Sequence, residues 1–297
     1  MMKTLPTVIV SLGIVLTFYN RSCAQMPQEN KPLQQINDAK TVKHITRLID
    51  AKTWNLLFPN RNNIQGKDSS HQDFYSYEAL IKAAAHFPLF LNEGTPEDQK
   101  RELAAFLANI AQETSGGWDD APGGYYTWGL YFIEENNKGN GNDYSDASKI
   151  NYPPVAGQAY YGRGPKQLSW NYNYGQFSEA WFGDKNILLK KPGLLAENNV
   201  LSFASAIWFW MTTQPPKPSC HDVMIGKWQP TEKDKESGRI PGFGTTVNII
   251  NGGIECGQPI TQSKTKYRYE YYRYFCKYFG VDPGKNITCN TQKPFGN

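Results

Sequence analysis

The chain has 297 residues, 39% hydrophobic, 20% charged and 14% aromatic, which is long enough for one large domain and too apolar for a disordered segment. Its formal charge of +4 falls to about +2 once Lys3 and Arg21 are set aside with a leader, so there is no electrostatic case for a nucleic-acid partner. Five cysteines are too few for a disulfide-dense miniature fold.

Residues 1–24 read as a secretory signal peptide: Lys3 comes early, an apolar run extends from Leu5 to Tyr19, and Ser22-Cys23-Ala24 offers small side chains to a peptidase. The run is shorter than the roughly 20 residues that cross a bilayer, so a secreted chain with no membrane attachment after leader removal is expected. Loss of Cys23 leaves Cys220, Cys256, Cys276 and Cys289, and four thiols allow three pairings. In an oxidising destination Asn286-Ile287-Thr288 is a glycan acceptor. Residues 25–41 are polar, lack apolar periodicity and read as a lead-in. A single two-lobed domain is expected over 42–297.

Within that domain apolar residues recur at helical spacing in three stretches: Ile45, Leu48, Ile49 and Leu56; Leu80, Ile81, Ala84 and Ala85; Leu201, Ala204, Ile207, Trp208 and Met211. Alternation with period two is rare, so the fold class is mainly α. Long Gly-, Asn- and Pro-rich loops at 116–164 and 214–244 are expected to form functional walls or lids.

Thr95-Pro96-Glu97-Asp98 starts a helix, with a hydroxyl cap, proline in the first turn and acids where the dipole favours them. The spacing predicts a helix to about Thr114, ended by Gly116-Gly117, with Leu103, Phe106, Leu107 and Ile110 as its buried stripe. Three residues further along that face stands Glu113. A carboxyl on an apolar face, beside the negative end of a helix, is favoured in its neutral form, which is what a general acid requires. A solvated or Arg-paired glutamate at a helix end is the plainer alternative. A second candidate lies across the loop, where Trp128 to Phe132 lead into Glu134 and Glu135. Aromatic rings beside a carboxylate suit a sugar site, and two carboxyls on separate walls are the minimum for cleaving a glycosidic bond.

No metal or cofactor is expected. His44, His71, His86 and His221 are scattered, and the sequence has no HExxH, paired CxxC, GxSxG or phosphate loop.

The stretch from Phe106 to Trp118 (FLANIAQETSGGW) and that from Tyr160 to Gly175 (YYGRGPKQLSWNYNYG) resemble the two signatures of the glycoside hydrolase family 19 chitinases. Ala206 to Thr212, Pro216 to Ser219 and Asn248 to Gly257 follow in family order, so the likeness covers about residue 42 to the C-terminus. It implies a lysozyme-like bilobal helical fold with a substrate cleft between lobes. It also implies endo-hydrolysis of β-1,4-linked N-acetylglucosamine polymers with inversion, so chitin and its oligosaccharides are the expected partners of a monomeric enzyme.

The resemblance maps the general acid onto Glu113, the general base onto Glu135 and not Glu134, and the residue that holds the attacking water onto Ser169. It carries sugar binding to Gln167, Tyr172, Asn173, Lys217 and Asn251, with Trp118, Trp128 and Tyr160 as aromatic walls. Glu255 and Arg268 correspond to charged partners that tune the acid, and Cys256–Cys289 matches a family disulfide; Cys220 and Cys276 stay open. Gln112 stands where most relatives have His, which implies a shifted acid limb. No hevein-like chitin-binding module precedes the domain, so tight adhesion to crystalline chitin is not expected. Two rivals remain: a lysozyme-like peptidoglycan hydrolase, and a non-catalytic chitin-binding protein. The second is weakened by the presence of Glu113, Glu135 and Ser169.

Overall fold

In the computed structural model the described residues are 42–62, 73–259 and 263–296; the leader and the polar lead-in lie outside them. Helices dominate, as the periodicity predicts, and the β contacts among these residues are isolated bridges at Glu134–Arg163, Arg163–Leu168 and Gln214–Lys217. None of the described helices is long and apolar enough to cross a membrane.

The first apolar stretch is two short helices, α1 (Lys43–Thr46) and α2 (Ala51–Leu57), where the sequence suggested one. Asp50 causes the break: it is extended, and its carboxylate accepts from the Thr53 N–H at 2.7 Å, capping α2. The inward face then comprises Trp54 and Leu57, while Leu56, expected on the stripe, is 61% exposed. Ser76 caps α3 (Tyr77–Ala84) in the same manner.

The centre of the fold is α4 (Pro96–Thr114). Thr95 and Asp98 form a reciprocal capping box, and Pro96 enters the first turn. The expected stripe is buried, and so are Ala104, Ala105, Ala108 and Ala111 on the other faces; the helix is therefore enclosed all round rather than amphipathic. Each large side chain removed from water here contributes about 1.5–3 kcal/mol. Gly116 and Gly117, at φ 72° and 63°, turn the chain away, and a Cβ at Gly117 would stand 2.5 Å from the Tyr125 carbonyl oxygen, so only glycine fits there.

Beyond the first long loop come α5 (Asn171–Phe182), α6 (Asn186–Lys190), α7 (Leu194–Glu197) and α8 (Asn199–Met211). The segment 214–244, expected as a loop, carries two short helices, α9 (Cys220–Met224) and α10 (Glu232–Glu236), capped by Ser219 and Thr231. Last come α11 (Phe243–Glu255) and α12 (Ser263–Phe279). Helix α12 packs along α4, α3 along α8, and α9 against α4, α8 and α11. The Cys256–Cys289 disulfide ties the end of α11 to the C-terminal segment, while Cys220 and Cys276 are buried free thiols.

A buried ionic cluster fastens α9 to α4. His221 Nδ1 lies 2.7 Å from Glu102 Oε1 and its Nε2 3.0 Å from Glu93 Oε2, and Trp210 Nε1 also donates to Glu102. Burial opposes the imidazolium, yet the hydrogen bond and charge of Glu102, with Glu93 behind them, hold the His221 pKa above its ordinary value. A histidine raised on folding contributes stability that is complete below its unfolded pKa of about 6.5 and is lost as pH rises through the higher folded value. Glu102, whose pKa burial pushes up, acts in the same sense, because ionising it costs more in the fold than in the unfolded chain. Thermal melts are therefore expected to show the melting temperature falling from pH 6 towards the alkaline side, with a shallower fall in His221→Gln. An unchanged slope in that variant would remove His221 as the cause.

Candidate active site

Glu113 sits in the last turn of α4, where the buried face of the helix reaches an open cavity of about 510 Å³. Its side chain is 13% exposed, and its Oε1 accepts from Arg268 Nη2 at 2.6 Å. The same guanidinium makes a two-point contact with Glu255 at 3.0 and 2.6 Å and donates through Nη1 to Asn109 at 2.9 Å. Glu255 is reinforced by Asn251 Nδ2 at 2.8 Å; Asn251 leaves helical geometry at φ −142°, kinking α11 four residues before Glu255. Burial alone would lower the Arg268 pKa, but Glu255 and Glu113 together hold it above its ordinary value. One permanent cation therefore joins two carboxyls of very different accessibility.

The loop that follows α4 is tied back to it by the Leu130 and Phe132 N–H groups, which donate to Thr114, and it brings Glu135 to the same cavity. Its Oε1 accepts from the Tyr144 hydroxyl at 2.9 Å and its Oε2 from the Gly162 N–H at 3.1 Å, leaving the group facing the same cavity. Glu134 points elsewhere, accepting from Arg163 Nε and Tyr161 Oη at 3.0 Å each, with the Arg163 side chain 5% exposed. Of the two adjacent acids, one is held by a buried cation and the other is free to meet a ligand.

The turn 163–170 and α5 close the cavity. Ser169 lines it, with its hydroxyl donating to the Gln167 carbonyl at 3.0 Å. Gln167, Tyr172, Asn173, Lys217 and Asn251 line it too. Asn173 Nδ2 caps Ser169 O at 2.8 Å, and its buried Oδ1 has no partner among the described residues. A second cavity of about 500 Å³ shares Glu113, Glu135, Gln167 and Asn251 and extends towards Gly117 and Tyr267. A third, of about 610 Å³, shares Tyr172, Gln214 and Lys217 and extends past Lys149. The shared residues join the three into one groove, with Glu113 and Glu135 where the first and second meet.

One expectation needs correction. Tyr160 has no exposed surface, its hydroxyl accepting from Val155 N–H and donating to Leu189 O, so it is a core residue and no aromatic wall. Trp118 and Trp128 pair with ring centroids 5.0 Å apart, Trp118 being 42% exposed, and neither is among the residues lining these three cavities. Asn286 is exposed, and its side-chain amide donates to the Pro241 carbonyl at 3.1 Å. Sequence reasoning missed Tyr144, Lys166, Trp170, Phe209 and Gln214, all in the cavity lining. Trp170 stands at φ 76° immediately before α5, a feature no sequence pattern shows. It packs edge-on to Tyr144 and nearly parallel to Tyr172, and a non-glycine residue held at positive φ marks a place where function tolerates strain.

Comparison with known proteins agrees with this geometry. The model of the family described as chitinase class I matches residues 48–289. Endochitinase A2 of Pisum sativum is 46% identical over 254 residues, spanning 85% of this chain and 74% of that one. An endochitinase of Carica papaya is 44% identical over 252 residues, covering 85% of this chain and 100% of its own length. Among solved structures, the class IV chitinase of Zea mays matches with a TM-score of 0.60 at 32% identity, covering 82% of this chain and 98% of that one. Chitinase C of Streptomyces griseus gives 0.62 at 32% identity over 82% and 80%. With its helical architecture, its groove and this continuous match, the chain belongs to the glycoside hydrolase family 19 chitinases.

Proposed function

We propose that this groove binds a chitin chain and hydrolyses an internal β-1,4 bond in a single displacement that inverts the anomeric centre. Glu113 is the general acid and Glu135 the general base; Ser169 helps to hold the attacking water. The observation that carries the reading is that Glu113 and Glu135 line one cavity while Glu134 is occupied by Arg163. Inversion needs the two carboxyls about 6.5–9.5 Å apart, with room for water on the far side of the sugar from the acid.

The residues divide the work by their surroundings. One guanidinium faces Glu113 and Glu255, so the trio is neutral when one carboxyl holds a proton. Glu113, the more accessible of the two, is where that proton meets the leaving oxygen. Once given up, the new carboxylate is stabilised by Arg268. Glu135, steadied by Tyr144 and the Gly162 N–H, takes a proton from water as the bond breaks. Gln167, Asn173, Lys217 and Asn251 supply donors and acceptors for hydroxyl and acetamido groups, and Tyr172 and Trp170 supply apolar faces. On the same reading, residues 1–24 are removed as a secretory leader, 25–41 are a lead-in, and the catalytic domain from 42 acts outside the cell as a monomer.

An anomer-resolved product analysis within minutes of mixing with a short chitin oligosaccharide tests the mechanism. Fresh α-anomer is expected. Fresh β-anomer would require a retaining mechanism and overturn the two roles, and binding without cleavage would favour the non-catalytic reading.

A further inference from the structure

In the cluster that fastens α9 to α4, each ring nitrogen of His221 meets a carboxyl oxygen: Nδ1 lies 2.7 Å from Glu102 Oε1 and Nε2 3.0 Å from Glu93 Oε2. A neutral imidazole has one N–H and one lone pair, so with both carboxyls ionised one of these contacts sets acceptor against acceptor. The geometry is satisfied by one further proton, carried by His221 as imidazolium or by Glu102 as a carboxylic acid. Burial works against a charged ring, but the hydrogen bond and charge of Glu102, with Glu93 behind them, outweigh it, and burial also favours the acid form of Glu102, so the cluster keeps this proton to higher pH than a free imidazole would. The hydrolytic step makes no use of it.

What the cluster holds is the foot of the groove wall. Gln214 and Lys217 line the groove and close on each other through backbone bonds, the Gln214 N–H donating to Lys217 O at 2.9 Å and the Lys217 N–H to Gln214 O at 2.8 Å. Pro218, Ser219 and Cys220 are buried, and Ser219 caps α9 through the Asp222 N–H. No exposed residue therefore separates Lys217 from His221 to absorb a movement of α9.

The charges around His221 come from every element packed on α9. From α4 comes Glu102, while Asp98 pairs with Arg101 and Glu113 with Arg268. Glu93, before α4, is also bonded by Lys227. Helix α8 has no ionisable side chain and offers the Trp210 N–H to Glu102; on α11 the ionisable group is Glu255, paired with Arg268. On α9 itself Asp222 favours the charged ring, and burial pushes the Cys220 thiol far up, so it is neutral. Lys166 and Lys217 act on that thiol, and burial lowers the pKa of both, so their own titration has to be told apart from that of the cluster.

We propose that His221 is a positioning residue for the groove: with the shared proton in place it latches α9 onto α4 and keeps Gln214 and Lys217 against the substrate, and loss of that proton slackens this wall. The inference rests on the chitin-hydrolase reading and adds to it a pH control of substrate binding, exerted by a residue outside the cavity lining.

The test is KM and kcat on chitin hexasaccharide from about pH 5.5 to about pH 8.5, with deuterium uptake by residues 212–224, corrected for the intrinsic pH dependence of exchange, read on the same samples. In the native enzyme KM is expected to rise about fivefold across this range, the scale of one charged hydrogen bond partly lost, and uptake to quicken with it. Glu93→Gln is the discriminating variant: its amide can donate to Nε2 while the neutral ring donates from Nδ1 to Glu102, so the cluster needs no extra proton, and both KM and uptake are expected to stay at their native acid-side values throughout. A glutamine cannot span both carboxyls, so His221→Gln is expected to show a high KM with little pH dependence; if that variant fails to fold, the native series and Glu93→Gln still decide. A native KM that does not move, or a rise that persists in Glu93→Gln as titration of Lys166 or Lys217 would give, overturns the latch. Absence of cleavage at every pH is a failure of the hydrolase reading itself; deuterium uptake, which needs no turnover, then decides alone, and equal uptake at both ends of the range overturns the latch.

Discussion

Glu113→Gln is expected to lose about 10²–10⁴ in kcat, equivalent to roughly 3–5 kcal/mol of barrier, with a melting temperature close to that of the native protein. Glutamine keeps the shape of the side chain and an oxygen that accepts from Arg268 Nη2, and Arg268 retains its two-point contact with Glu255, so the fold has little reason to respond. What is lost is the proton. Glu135→Gln is expected to be similarly severe, because an amide cannot accept a proton from water. Glu134→Gln is the informative control: it leaves the cavity untouched, so turnover per folded molecule persists, but it removes the only carboxylate paired with the buried Arg163 among the described residues, so its melting temperature falls. Near-full turnover in Glu113→Gln would end its assignment as the acid. Severe loss of turnover in Glu134→Gln, with Glu135→Gln unaffected, would shift the base by one residue.

What periodicity could see, it saw where the governing interactions are local. The cap at Thr95, the proline after it and the glycines at 116 and 117 fix both ends of α4, and so place Glu113 at the end of a buried face before any tertiary contact is known. The motif from Tyr160 to Gly175 identified the family, but it could not say which side chains face the groove. Gln167 and Trp170 both have positive φ, which breaks any regular alternation there; Tyr160 is buried in the core, and Lys166 and Trp170 line the cavity. Leu56 faces solvent because the Asp50 cap restarts the helical phase in a place where apolar spacing alone runs straight through. The choice between Glu134 and Glu135 rests on Arg163, twenty-eight or more residues away in the chain, and no local pattern carries such information. The segment that holds α9 and α10 has too few residues per helix for a period to emerge; their ends are set by single serine and threonine caps.

Arg268→Met is expected to destabilise the protein by about 3–5 kcal/mol, read from denaturant melts, because it strands a charge in the interior. Both Arg268 and Glu255 have side chains 2% exposed, and without the guanidinium Glu255 loses its two-point cationic contact while the Asn251 amide stays. Arg268→Lys is no conservative exchange here: a single ammonium cannot span Glu255 at two points while also reaching Glu113 and Asn109. A double variant separates structure from chemistry. Replacing Arg268 and Glu255 together by methionine removes both buried charges at similar volume, and such exchanges are often neutral or stabilising, so stability is expected to return most of the way. Turnover is not: Glu113 then has no hydrogen-bonded guanidinium to take up its negative charge after it gives its proton to the leaving oxygen. If activity recovered along with stability, the triad would be scaffolding for the α4–α11–α12 junction, and Glu113 would act without the guanidinium to balance its charge.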